Sequence, residues 1–199
     1  MSTPASPLNL PNIMTLTRLA AIPVLVLVFF LPFRWSDLCA AGLFLAAGIT
    51  DMVDGYLARK LDQTSRFGAF LDPVADKLIV ATALVMLVQV HANLWLAVPA
   101  IVIISREITV SALREWMAEI GKRGRVAVSA IGKVKTVAQI AAITALLADK
   151  PAFTELGDPI MTPFLWLAYG LLYVATGLTL WSMVAYLKAA WPELWPPRK

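Results

Sequence analysis

Cysteine and histidine are nearly missing: the 199 residues hold one of each, Cys39 and His91. One cysteine forms no internal disulfide. One Cys and one His fall short of the four-ligand sets of structural zinc. A Ser–His–Asp triad would have to use His91, which lies in an apolar stretch with no carboxylate near it in sequence. No G-x-x-x-x-G-K-[ST] run occurs, which removes the P-loop. Charge is also scarce, at 15% of residues, against roughly a quarter in soluble domains. The net charge of +4 is too small to read as a nucleic-acid footprint and fits membrane orientation instead.

What is present is hydrocarbon. Apolar residues make up 59% of the chain and come in long blocks. About 20 consecutive apolar residues cross a bilayer core as a helix. Six such segments are expected, near 13–33, 38–59, 68–90, 94–117, 133–149 and 163–187. The fold class is therefore all-α, a polytopic bundle of six transmembrane helices forming a single membrane domain over 1–199. The first segment is read as a mature span rather than a signal peptide, since no small-x-small cleavage site follows cleanly. The Pro-rich tails, about 1–8 and 190–199, are expected to be poorly ordered.

Lys and Arg gather on alternate links. One face collects Arg59, Lys60, Arg66, Lys122, Arg123, Arg125, Lys133, Lys135 and Lys188. The positive-inside rule puts that face, and both termini, in the cytoplasm. Trp35, Trp95, Trp166, Trp191 and Trp195 fall near span ends, as interfacial anchors do.

The informative stretch runs from Asp51 to Asp76. Asp51 and Asp54 are i and i+3, so one helix face presents both. Asp72 and Asp76 are i and i+4, again one face. A short polar link (60–65) joins the two groups, so their helices are antiparallel neighbours and can bring four carboxylates together. Ionisable groups at membrane depth are expensive and usually functional. Oxygen-only ligands suit hard cations such as Mg²⁺ or Mn²⁺, and four carboxylates suffice for two ions that clamp a phosphoryl displacement. Gly55 and Ala58 would leave a groove beside Asp54, with Gly68 near its mouth, and Arg59 one turn on could pair with phosphate. Pro73 requires either that the third helix begin near Asp72 or that it start earlier and kink. The plainer alternative, ordinary interfacial charge pairs, suits any one of these aspartates better than all four.

This stretch resembles the signature of the CDP-alcohol phosphotransferases, D-x2-D-G-x2-A-R-x8-G-x3-D-x3-D, matched at Asp51, Asp54, Gly55, Ala58, Arg59, Gly68, Asp72 and Asp76 without departure. The resemblance implies six membrane helices, a homodimer, two divalent ions (Mg²⁺ or Mn²⁺) and a CDP-linked lipid substrate in the bacterial cytoplasmic membrane. It implies that Asp51, Asp54, Asp72 and Asp76 hold the metals, with Asp76 also the general base. Asn12, Thr15, Gly55, Ala58, Arg59, Ser65 and Gly68 would contact CDP-diacylglycerol.

Further stretches, among them Ser105-Arg106-Glu107-Ile108, Ala112-Leu113-Arg114-Glu115-Trp116 and Ile131-Gly132-Lys133-Val134-Lys135-Thr136, are similar to the bacterial branch whose acceptor is sn-glycerol 3-phosphate. That acceptor is a small dianion, and Arg106, Arg114, Lys133 and Lys135 stand at the basic ends of the fourth and fifth spans to receive it. Glu107 is placed to hold such an arginine. Positive-inside charge alone would also explain these four residues. Two rival functions remain at this stage: a sister enzyme with another alcohol acceptor, and a divalent-cation transporter. The transporter would need acidic residues at mid-span, whereas these stand at one end.

Overall fold

The computed structural model describes residues 10–61, 66–122, 130–153 and 159–195. Six helices follow one another: α1 Leu10–Phe30, α2 Ser36–Leu61, α3 Arg66–His91, α4 Leu94–Glu119, α5 Ala130–Ala148 and α6 Pro163–Leu194. Each covers an expected apolar segment. A short antiparallel strand pair, β1 (Ala152–Phe153) and β2 (Pro159–Ile160), interrupts the link between α5 and α6. Two-residue strands leave the all-α class intact.

Among the described residues, four helices are long and apolar enough to cross a membrane: Ile13–Phe30, Phe70–His91, Leu94–Glu119 and Pro163–Leu194. The apolar part of α5, Val134–Ala148, is shorter. The surface agrees with a lipid surround. Leu27, Phe70, Ile101, Ile108, Trp166 and Trp181 are each more than half exposed, whereas soluble monomers rarely show contiguous apolar surface on this scale. The protein is a multi-pass membrane protein.

One core joins all six helices. Leu25 and Phe29 of α1, Phe44 of α2, Leu84 and Leu87 of α3, Ile103 of α4, Leu146 of α5 and Leu172 of α6 belong to it. In lipid such packing is favoured by close contact rather than by removal from water. Gly48 illustrates the tolerance: a Cβ there would stand 3.1 Å from Ile140 Cδ1, so α2 and α5 approach where a side chain is missing. α1 packs against both α2 and α3, while α2 and α3 touch each other only lightly.

Helix ends follow capping chemistry. Asn93 caps α4 by accepting from the Leu96 amide at 3.0 Å, and Thr162 caps α6 by accepting from the Leu165 amide at 3.0 Å. The α3–α4 turn is closed by His91, buried and 2.9 Å from the Tyr169 hydroxyl, with Asn93 donating to the same hydroxyl at 3.0 Å. His91 is thus a packed turn residue, as its apolar setting suggested.

Two expectations about chain breaks are resolved. Pro73 lies inside α3, which starts a full turn and more earlier at Arg66; lacking an amide proton, it leaves the carbonyl of residue 69 without its helical donor. The C-terminal tail expected from 190 is corrected: α6 continues to Leu194, Ala190 is fully buried, and Glu193 pairs with Lys122. A second apolar cluster of Val110, Leu113, Met117, Tyr186 and Ala190 holds that end against α4. This packing outweighs Pro192, which sits in the last turn.

Candidate active site

The acidic positions fall on the second half of α2 and the first half of α3, so the antiparallel course of these helices places them at one end of the bundle. The third wall is α1. Thr15 and Arg18 are i and i+3 on that helix, share a face, and are both buried. Arg18 Nη1 donates to Asp51 Oδ1 at 2.8 Å and to Asp76 Oδ1 at 2.6 Å. Thr15 Oγ1 donates to Asp72 Oδ1. α1 therefore supplies a polar partner to each of the three aspartates whose side chains are described.

Asp51 and Asp76 converge on a single nitrogen atom. Mg²⁺ holds its oxygen ligands at about 2.0–2.1 Å, so these two oxygens would have to close by about 0.5–0.8 Å to share an ion at that point. Among the described residues no three His, Cys, Asp or Glu side chains form a ready metal group. Asp72 is turned to Thr15, and the side chain of Asp54, on α2 one turn beyond Asp51, lies outside the described residues. The donor set itself, carboxylate oxygens with a hydroxyl beside them, fits a hard divalent ion.

Beside this pair opens a cavity of about 150 Å³. Phe44, Ala47, Ile79, Val80 and Ile140 give it apolar lining. Its charged wall holds Arg18, Lys77 and Lys135 with Asp51, Asp76 and Glu107, three of each sign. The charges are segregated: Arg18 serves the aspartates, while Lys135 of α5 pairs with Glu107 of α4. Lys135 is buried, so its charge acts in a medium that screens poorly. Gln139, one turn further along α5, is buried and lines the same cavity, and among the described residues its carboxamide oxygen has no hydrogen-bond partner.

Arg106 is buried as well but faces α6. Its Nη2 donates to Ser182 Oγ at 2.6 Å, its Nη1 to Glu107 Oε1 at 3.2 Å, and its Cζ lies 5.7 Å from the centre of the Tyr186 ring. Glu107 thus bridges Arg106 and Lys135, the role its position suggested. Arg114 is exposed near the end of α4. Gly68 is buried in the first turn of α3. The side chains of Asn12, Gly55, Ala58, Arg59 and Lys133, and the whole of Ser65, lie outside the described residues. Sequence reasoning missed Arg18 and Gln139. Arg18 is the sole charge in α1, three residues after Thr15, but a lone cation near the start of a span does not by itself mark a site.

Carboxylates meeting cations at one end of a membrane bundle, beside a cavity lined by both charged and apolar side chains, fit a class of protein: an enzyme handling a charged head group whose tail stays in lipid. The particular family follows from comparison. Residues 8–187 match the CDP-alcohol phosphatidyltransferase family, and the chain belongs to it. It is similar to the CDP-diacylglycerol–glycerol-3-phosphate 3-phosphatidyltransferase of Pseudomonas fluorescens, at 54% identity over 94% of this chain and 92% of that one. Proteins of the same name from Pectobacterium atrosepticum (51% identity, 95% of this chain, 98% of that one) and Yersinia pestis strain Pestoides F (50%, 96% and 99%) are also similar.

Proposed function

We propose that this enzyme transfers the phosphatidyl group of CDP-diacylglycerol to sn-glycerol 3-phosphate, releasing CMP and forming phosphatidylglycerophosphate. The observation that carries the reading is the convergence of Asp51 and Asp76 on one point of a cavity wall that also holds the buried Lys135. Similarity to relatives bearing this activity in their name, over nearly the whole chain, supports it.

The acyl chains remain in the bilayer and the CDP head enters at the charged end. Asp51, Asp54, Asp72 and Asp76 would hold two Mg²⁺ or Mn²⁺ ions, which supply charge neutralisation for the diphosphate. The hydroxyl of glycerol 3-phosphate attacks the lipid-bearing phosphorus in line, its proton passes to Asp76, and the bond to the CMP oxygen breaks. Thr15 holds Asp72 in position. Asn12, Thr15, Gly55, Ala58, Arg59, Ser65 and Gly68 are assigned to the nucleotide lipid, and Arg106, Arg114, Lys133 and Lys135 to the acceptor's phosphate. Of the acceptor group, Lys135 lies on the cavity and Arg106 stands behind it, joined through Glu107. Most of the rate enhancement comes from positioning and charge stabilisation.

The chain acts as one domain, as a homodimer, in the bacterial cytoplasmic membrane with this end and both termini cytoplasmic. The basic residues of that end, Lys77, Lys122 and Lys135 among them, support the orientation.

The test is CMP release by detergent-solubilised protein given CDP-diacylglycerol. Release that requires glycerol 3-phosphate and stops with a chelator is expected; release driven better by serine, inositol phosphate or phosphatidylglycerol overturns the acceptor assignment. Asp72→Asn should lower turnover by about 10²-fold or more while the melting temperature stays near that of the parent. Retained metal-dependent release in that variant counts against the scheme.

A further inference from the structure

Arg18 is the one charged residue of α1, so nothing on its own helix balances it. It is 3% exposed, and a buried cation persists only where opposite charge and hydrogen bonds compensate its lost hydration. That compensation arrives from two other helices, Asp51 of α2 and Asp76 of α3, at one nitrogen. The relation is mutual. Two carboxylates this close repel each other unless a cation stands between them. The guanidinium stands there, on one oxygen of each carboxylate.

We propose that Arg18 is a counter-ion of the carboxylate pair and competes with a divalent ion for its charge. The inference rests on the metal-dependent reading above and adds to it a determinant of metal affinity. Arg18 also lines the cavity, so a long, flexible side chain has space beside it to withdraw into. Ion and guanidinium compete for one pair of carboxylates: the charge that holds Asp51 and Asp76 together weakens their hold on metal.

The competition has a readout independent of turnover. Mn²⁺ binding to metal-stripped protein in detergent is measured from the spin-resonance signal of free Mn²⁺, for the parent, Arg18→Met and Arg18→Lys. Arg18→Met should bind Mn²⁺ about tenfold more tightly or better, since one buried positive charge no longer opposes the ion. Its metal-free form should melt lower than the parent, and Mn²⁺ should raise its melting temperature by more. Arg18→Lys, which keeps the charge, should stay within about threefold of the parent's affinity. If Arg18→Met requires metal to fold, its affinity is read by chelator competition from the loaded protein. Unchanged or weaker Mn²⁺ binding in folded Arg18→Met, with the parent binding normally, overturns the proposal and leaves the metal reading standing. A parent that takes up no Mn²⁺ sinks both.

Discussion

Arg106 of α4 reaches Ser182 of α6 at 2.6 Å, joining two helices through a buried hydrogen bond between side chains. Ser182 in turn donates to the Thr179 carbonyl of its own helix at 3.1 Å. A hydrogen bond to a charged group contributes about 1.5–3 kcal/mol, and its loss here would leave a guanidinium N–H buried. Ser182→Ala is therefore expected to lower stability by about 1–3 kcal/mol, read as a fall in melting temperature in detergent. Arg106→Lys keeps the charge but loses the planar fork. It should raise the KM for glycerol 3-phosphate about tenfold or more, the effect of one charge-assisted hydrogen bond, with little change in the KM for CDP-diacylglycerol. Equal changes in both would show that Arg106 acts on the bundle and not on the acceptor.

Gly48 separates two effects of size. In a helix interior, Gly→Ala gains roughly 0.5–1 kcal/mol of helix propensity. The new Cβ would stand 3.1 Å from Ile140 Cδ1, the far end of a flexible side chain. Gly48→Ala is expected to be nearly neutral in thermal melting. Gly48→Leu has no such accommodation: it should force α2 from α5, narrow the cavity both residues line, and destabilise by about 1–3 kcal/mol. Wild-type activity in Gly48→Leu would contradict the close approach.

At the opposite end of the bundle, Lys150 ties three elements together. Its ammonium pairs with Asp37 at 2.6 Å, donates to the Phe29 carbonyl at 2.7 Å and lies 4.0 Å from the centre of the Phe29 ring. Both ionic partners are partly exposed, so screening keeps the pair itself near 0–1 kcal/mol. With the ring contact included, Lys150→Met should cost about 1–2 kcal/mol and leave the kinetics of CMP release unchanged. A matching loss of turnover would mean that this end is coupled to the site.

The helices were legible because a bilayer demands apolar runs of one length, and each run but the last became a helix within a few residues of its expected bounds. The meeting of Asp51 with Asp76 was legible from i, i+3 and i, i+4 spacing on two helices joined by a short link. What escaped was whatever depended on a third helix. Arg18 looks in sequence like any cation near the start of a span, and only the packing of α1 against both α2 and α3 places it between their aspartates. Gln139 is an uncharged polar residue in the apolar part of α5, and Ser182 is one of several hydroxyl residues of α6, so neither stands out in the sequence. Pro73 allowed two readings because a proline is acceptable both at a helix start and at a kink. The C-terminal helix outran its expected end because Pro192 and the Trp residues suggested a loose tail, whereas Tyr186 and Ala190 pack on α4.

The dependence of Arg18 on later helices also bears on the order in which the chain is made. α1 leaves the ribosome carrying a cation whose partners, at positions 51 and 76, have not yet been synthesised. Until α3 has entered the bilayer, that side chain must stay hydrated near the membrane surface, and α1 cannot settle at its final depth. Insertion of the first span is thus provisional, and translation past Asp76 is the point from which the three-helix corner can close.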